Sequence, residues 1–261
     1  MNQDNKPHYR KPFRPHFQAK PNNSEFVFGI QSVLETIRSG KEIDKILIQR
    51  ELGNNEVMEL AKERELQIQK VPVEKLNRIT RKNHQGVIAF VSAVHYAKIE
   101  NIISDCFEKG VDPFILILDR ITDVRNFGAI ARTAEIAGAQ AIVIPSKGAA
   151  QINADAMKTS SGALNFLPVC REESLVATVE YLQNSGLKVV CCTEKASKKL
   201  YETDLTGPLA IVMGSEEDGI SEGILVRANE RTSIPQSGKV DSLNVSVATG
   251  VVLFEAVRQR G

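Results

Sequence analysis

"PLAIVMGSEEDGIS", residues 208–221, starts as a strand and ends as an acidic loop. Leu209 to Met213 are apolar without a break, the pattern of a strand covered on both faces. Gly214 and Gly219 then bracket Glu216, Glu217 and Asp218. A glycine-flanked loop after a strand commonly cradles a phosphate, but three carboxylates repel one. The loop also lacks the lysine of GxxxxGK[ST] and the spacing of GxGxxG. Its chemistry suits a cationic ligand; the plainer alternative is an acidic surface turn.

The same texture runs outward from this stretch. From residue 113 onward "FILIL", "AIVIP", "LPVC", "KVVCCT", "LAIVM" and "RTSIP" read as apolar strands. Helical patterns lie between them near 126–138, 153–162, 174–186 and 222–228, and a last helix starts near 242. This alternation predicts an α/β fold: a parallel sheet with helices on both faces. Ligands of such sheets bind beyond the carboxyl ends of strands, where the acidic loop lies.

Residues 25–95 differ. "GIQSVLETIRSG" and "NNEVMELAKERE" predict helices, the second capped by Asn54 or Asn55. "IDKILIQ", "LQIQKV" and "GVIAFVSAV" predict short strands. Together they make a small α/β domain, 24–95, with a basic surface around Arg78, Arg81 and Lys82. Residues 96–112 are expected as a linker containing a helix, and 113–261 as the larger domain. Residues 1–23 carry Lys6, Arg10, Lys11, Arg14 and Lys20 against Asp4, with four prolines, and are expected to be disordered. Tyr9, Phe13 and Phe17 interleave these cations, a composition that suits RNA, though a solubilising tail has it too.

The net charge of +1 over 261 residues names no partner. The first 25 residues lack the apolar core of a signal peptide, and no apolar run nears the roughly 18 residues that span a bilayer. Cys106, Cys170, Cys191 and Cys192 form no CxxC pair and read as reduced thiols. These features predict a cytoplasmic protein without a membrane segment. Only His84 and His95 lie outside the tail, so no metal site is expected.

Two further stretches carry chemistry. In "LDRITDVRNFGAIARTAEIAGA", 118–139, Asn126 can cap a helix that bears Arg132 about two turns on. Gly128 in the first turn costs about 1 kcal/mol relative to alanine, which asks for a close neighbour. In "IPQSGKVDSLNVSVATGVVLFEAVRQR", 234–260, Asp241 or Ser242 can cap the last helix. Ser246, Ala248, Thr249 and Gly250 make one side of that helix small. S-adenosylmethionine, with a sulfonium and an ammonium, is electrostatically compatible with the acidic loop.

The three stretches together resemble the SpoU/TrmH family of RNA 2′-O-ribose methyltransferases. Asn126, Gly128 and Arg132 match its Asn-x-Gly-x-x-x-Arg. Gly214, Glu216 and Gly219 match its Gly-x-Glu-x-x-Gly. Ile234, Pro235 and Ser242 to Val245 match its Ile-Pro and Ser-Leu-Asn-Val. "NHQGV", His84 to Val87, resembles the ribosomal-protein-like RNA-binding domain of the branch that includes 23S ribosomal RNA guanosine 2′-O-methyltransferases.

The resemblance implies a deep C-terminal trefoil knot, a homodimer with the site at its interface, and S-adenosylmethionine held by Gly214, Ile234, Leu243 and Thr193. It implies catalytic roles for Asn126, Arg132, Glu216, Ser242 and Asn244. Glu216 would either touch the cofactor or orient Asn126 and Arg132. Arg132 would either accept the hydroxyl proton or grip the RNA phosphate, with Ser242 and Asn244 positioning it or the nucleotide. Arg81, Lys82, His84 and Gln85 are the RNA-binding candidates. Transfer RNA as substrate and a non-catalytic ribosomal-RNA-binding module are the alternatives.

Overall fold

The structure, a computed structural model, describes residues 26–52, 55–239 and 242–261. The basic arm and the candidate caps Asn54 and Asp241 lie outside these residues, as does the side chain of Asn55.

The first strands form a four-stranded sheet in the order β1-β4-β2-β3: β1 (Phe26–Phe28), β4 (Val87–Val91), β2 (Ile43–Gln49) and β3 (Ile68–Val71). Only β2 and β3 run parallel. The apolar stripe of α1 (Ile30–Arg38), namely Val33, Leu34 and Ile37, meets Ile46 and Ile48 of β2. Val57 of α2 (Asn55–Glu63) closes that core. The sequence gives little sign of α3 (Val73–Ile79), because it buries only Leu76.

The uninterrupted apolar runs form a seven-stranded sheet, parallel throughout, ordered β11-β9-β10-β6-β7-β8-β5. Its strands are β5 (Tyr96–Ala97), β6 (Phe114–Asp119), β7 (Ala141–Pro145), β8 (Val169–Glu172), β9 (Lys188–Cys192), β10 (Leu209–Gly214) and β11 (Glu230–Thr232). One face is covered by α5 (Val124–Ile136), α6 (Ala154–Thr159) and α9 (Val245–Arg260). The other is covered by α4 (Ile99–Glu108), α7 (Leu175–Asn184) and α8 (Glu222–Leu225). Every residue of β6 is buried, as expected for a strand with helices above and below.

Residues 96–112 do more than link. Tyr96 and Ala97 pair with β8, and Ile99, Ile102, Ile103 and Cys106 of α4 are buried against the large sheet. A buried polar cluster joins the two sheets here. Tyr96 Oη donates to Asp44 Oδ1 at 2.6 Å, and Arg171 donates to the Asp44 carbonyl at 2.6 Å and to the Ser146 carbonyl at 3.2 Å. The Arg171 guanidinium also lies 5.1 Å from the centre of the Tyr96 ring. Burial pushes the Asp44 carboxyl up, opposed by its hydrogen bond from Tyr96 and the charge of Arg171.

Among the described residues no helix is long and apolar enough to cross a membrane.

Candidate active site

β6 and β10 are neighbours, with Asp119 and Gly214 opposite each other at their carboxyl ends. The acidic loop leaves β10 as a tight hairpin: Ser215 N donates to the Gly219 carbonyl at 3.2 Å, and Gly219 N returns to the Ser215 carbonyl at 3.0 Å. Gly214 permits this by size. A Cβ there would stand 2.2 Å from the Gly219 carbonyl carbon and 2.3 Å from Ile220 N.

Glu216 projects from the hairpin toward the starts of two helices. Its Oε1 accepts from Asn244 Nδ2 at 2.8 Å, from Val245 N at 3.1 Å and from Asn126 Nδ2 at 3.5 Å. Asn244 Nδ2 also donates to Asn126 Oδ1 at 3.1 Å. Asn126 lies in the first turn of α5, and Val245 begins α9. Both helix N-termini present unpaired N–H groups, which a side-chain acceptor can meet where they converge. Of the two roles open to Glu216, orienting Asn126 is visible in these bonds; it makes none to Arg132.

The caps differ from the sequence expectation. Asp123, not Asn126, caps α5, accepting from Asn126 N at 2.7 Å, which frees the Asn126 side chain for Glu216. Asn244 caps α9, where Ser242 or Asp241 was expected; its Oδ1 accepts from Ser246 N at 3.0 Å and Val247 N at 3.4 Å. Both misreadings arise because a cap candidate two or three residues away fits the pattern equally well. The helical glycines also separate. A Cβ on Gly128 would stand 2.7 Å from Thr159 Cβ, so α5 and α6 need that glycine. One on Gly250 would meet Thr133 at 3.6 Å, ordinary contact, so Gly250 is not needed for a close approach.

Two clefts flank Glu216. The first, about 650 Å³, is lined by Gly214, Ile234, Leu243 and Thr193, the four expected cofactor residues, and also by Ser242. Its described lining includes Glu194 and Glu216 and neither lysine nor arginine. Cys192 is part of its wall, and burial pushes this thiol up to about 12. The second cleft, about 810 Å³, is lined by Arg120, Asp123, Asn126, Gly148, Glu216 and Asp218 among others. Arg132 lines neither cleft. It is exposed on α5, and its side chain makes no hydrogen bond or ion pair among the described residues. Among the described residues no group of three or more His, Cys, Asp or Glu is arranged to hold a metal ion.

The expected RNA-binding residues also divide. Arg81 and Lys82 are exposed, with Lys82 Nζ 5.9 Å from the Phe28 ring centre. His84 is not at the surface: it is 7% exposed, with Nε2 2.9 Å from Asn77 Oδ1 and Nδ1 accepting from Gly86 N at 3.0 Å. Gln85 is exposed but spends its Oε1 on Ile30 N, the start of α1, at 2.9 Å. The "NHQGV" signature therefore shapes a turn, with Gln85 and Gly86 both at positive φ. Sequence reading missed Asp119, Arg120 and Asp123; their only signal is their position immediately after an apolar strand.

Residues 113–254 match the profile of the SpoU rRNA Methylase family. The chain belongs to that family. Residues 26–97 of this SpoU family chain match a second profile, RNA 2′-O ribose methyltransferase substrate binding. A 23S rRNA (guanosine-2′-O-)-methyltransferase, RlmB, of Escherichia coli strain K12 is 37% identical over 91% of this chain and 99% of its own. Among solved structures, an S-adenosylmethionine-bound rRNA methyltransferase from Sinorhizobium meliloti aligns with a TM-score of 0.56 at 25% identity, covering 90% of this chain and 87% of that one. The SpoU methyltransferase AviRb from Streptomyces viridochromogenes, in complex with the same cofactor, aligns with a TM-score of 0.57 at 25% identity, covering 90% and 89%.

Proposed function

We propose that this chain transfers the methyl group of S-adenosylmethionine to a ribose 2′-hydroxyl of RNA, and that the target is a guanosine of 23S ribosomal RNA. One observation carries the reading: Asn126, Glu216 and Asn244, from three distant parts of the chain, meet on the wall between two clefts. Family membership and the named relatives, aligned over most of both chains, support the substrate.

The first cleft fits the cofactor. Met213, Ile220, Ile234 and Leu243 offer apolar walls to a flat adenosine, and Glu194 and Glu216 offer carboxylates to its cationic end. Gly214, Ile234, Leu243 and Thr193 are assigned to hold it. When bound, S-adenosylmethionine supplies a methyl group made electrophilic by its sulfonium. The protein's share is alignment. Glu216 fixes the amides of Asn126 and Asn244, so Asn126 meets the ribose from the second cleft in one orientation. Arg132 carries a fork of N–H donors suited to phosphate, so we assign it the target phosphate, where it lowers the pKa of the hydroxyl; Ser242 lines the cofactor side.

Arg132 needs a route to a cleft, and we infer a homodimer as that route. Ile136 of α5 and Val247 and Phe254 of α9 are 62%, 54% and 49% exposed, on helices that pack together and bear Arg132. A second copy covering this face would bring its Arg132 toward the site. We read residues 24–95 as the RNA-binding unit, where Arg81 and Lys82 remain available, and 113–261 as the catalytic unit. We also assign the C-terminal trefoil knot. Its support is membership of the SpoU family.

Titration calorimetry of metal-stripped protein with S-adenosylmethionine tests the reading. Saturable binding is expected; no heat at millimolar cofactor, with and without ribosomal RNA, would overturn it.

A further inference from the structure

Arg120 follows the last residue of β6 and adopts φ +59°, the left-handed region that long side chains rarely occupy. Such a conformation persists only where surrounding contacts hold it. Here the contacts reach across the chain to the acidic hairpin. Arg120 Nη1 donates to Asp218 Oδ2 at 3.1 Å, and Nη2 donates to the Gly219 carbonyl at 3.2 Å. Its Nε donates to Asp119 Oδ1 at 3.3 Å. Asp119 is 3% exposed, and its Oδ2 accepts from Ser221 N at 2.6 Å. Two adjacent residues at the end of β6 thus grip the return arm of the hairpin and the residues after it, from Asp218 to Ser221.

We propose that Arg120 is a positioning residue for methyl transfer: it latches the Gly214–Gly219 hairpin to the end of β6 and so fixes Glu216 between the two clefts. The inference rests on reading those clefts as the transfer site. Charge supports it. Among the described lining residues Arg120 is the one cation of the second cleft, facing Asp123, Glu216, Glu217 and Asp218. Without it, the carboxylates of the hairpin repel one another and an incoming phosphate alike. The Arg120 and Asp218 side chains are 38% and 68% exposed, so their ion pair adds little to global stability. Its effect falls on the order of the hairpin. The fork of the guanidinium matters as well, since one ammonium cannot bond Asp218 and the Gly219 carbonyl in the same way.

The test compares wild type, Arg120→Gly, Asp218→Asn and the swapped pair Arg120→Asp with Asp218→Arg. Glycine relieves the left-handed backbone while removing the latch. Its melting midpoint should therefore hold or rise, while amide exchange across 215–220 speeds up. With ribosomal RNA, kcat should fall roughly ten- to a hundred-fold, the scale of misplacing a catalytic group by up to 1 Å. Asp218→Asn should change in the same direction, and the swapped pair should recover part of the loss. A residue that merely bound RNA would behave otherwise: Asp218→Asn would free Arg120 and lower the RNA KM, which would overturn the latch. Unchanged exchange and unchanged kcat in Arg120→Gly would overturn it too. If wild type itself transfers no methyl group, the functional reading fails, and the exchange data alone decide whether the latch exists.

Discussion

Replacing Gly214 with alanine adds one methyl group, and the structure says where it goes. The new Cβ would lie 2.2 Å from the Gly219 carbonyl carbon, 2.3 Å from Ile220 N and 2.5 Å from the Gly219 oxygen. All three are backbone atoms, so no side chain can swing away. The return arm of the hairpin must retreat by about 1.2 Å, the gap between 2.2 Å and the 3.4 Å at which ordinary contact begins. That retreat strains the two Ser215–Gly219 hydrogen bonds and carries Glu216 away from Asn126 and Asn244. Overpacking of this kind costs about 1–3 kcal/mol, a drop of roughly 2–12 °C in melting midpoint for a chain of this size. A shift near 1 Å at the site should also lower turnover by about a hundred-fold. Gly219→Ala is the control. Gly219 has φ +69° but nothing within 4 Å of a Cβ, so alanine there meets only conformational cost, about 1–2 kcal/mol. Scanning calorimetry gives the midpoints, and single-turnover assays give the rates. Gly214→Ala with cofactor affinity and turnover near wild type would refute the reasoning.

Arg132→Ala should leave S-adenosylmethionine affinity nearly unchanged, since Arg132 lines neither cleft, yet lower methyl transfer by orders of magnitude; Arg132→Lys should be nearly as inactive, and single-turnover rates at saturating RNA check both. Burial pushes Cys106 up to about 11 and Cys191 and Cys192 up to about 12. Iodoacetamide at pH 8 should therefore label them only after unfolding, as mass spectrometry would record. Glu255 is held down at about 2, first by Arg258 and then by Gln259. Because its folded pKa is depressed, its contribution is complete above about 4.5 and is lost as pH falls toward 2. Glu255→Gln should cost about 1 kcal/mol at pH 7, given how exposed Arg258 is, and should flatten the acid limb of urea-unfolding stability. Equal acid sensitivity of the two proteins would contradict that assignment.

The large sheet was legible because "FILIL", "AIVIP" and "LAIVM" are too short for buried helices and too apolar for half-exposed strands. The strand-end positions of Gly214 and Thr193 were legible by the same logic, whereas grouping them with Ile234 and Leu243 came from the family resemblance. What the sequence hid depends on long-range contact. Nothing in "LDRITD" says that Asp119 and Arg120 hold a loop about a hundred residues away. "NHQGV" looked like a surface for RNA, but a histidine with both ring nitrogens paired cannot be told from an exposed one by spacing. Tyr96 was assigned to a linker because a two-residue strand carries no periodicity.

Transfer of labelled methyl groups from S-adenosylmethionine to 23S ribosomal RNA, followed by nuclease digestion and identification of the modified nucleoside, tests the central claim most directly. The wild-type chain, stripped of metal, should yield 2′-O-methylguanosine at one position, and Glu216→Ala should yield almost none. Label on a base instead of a ribose, or equal transfer by Glu216→Ala, would contradict the account.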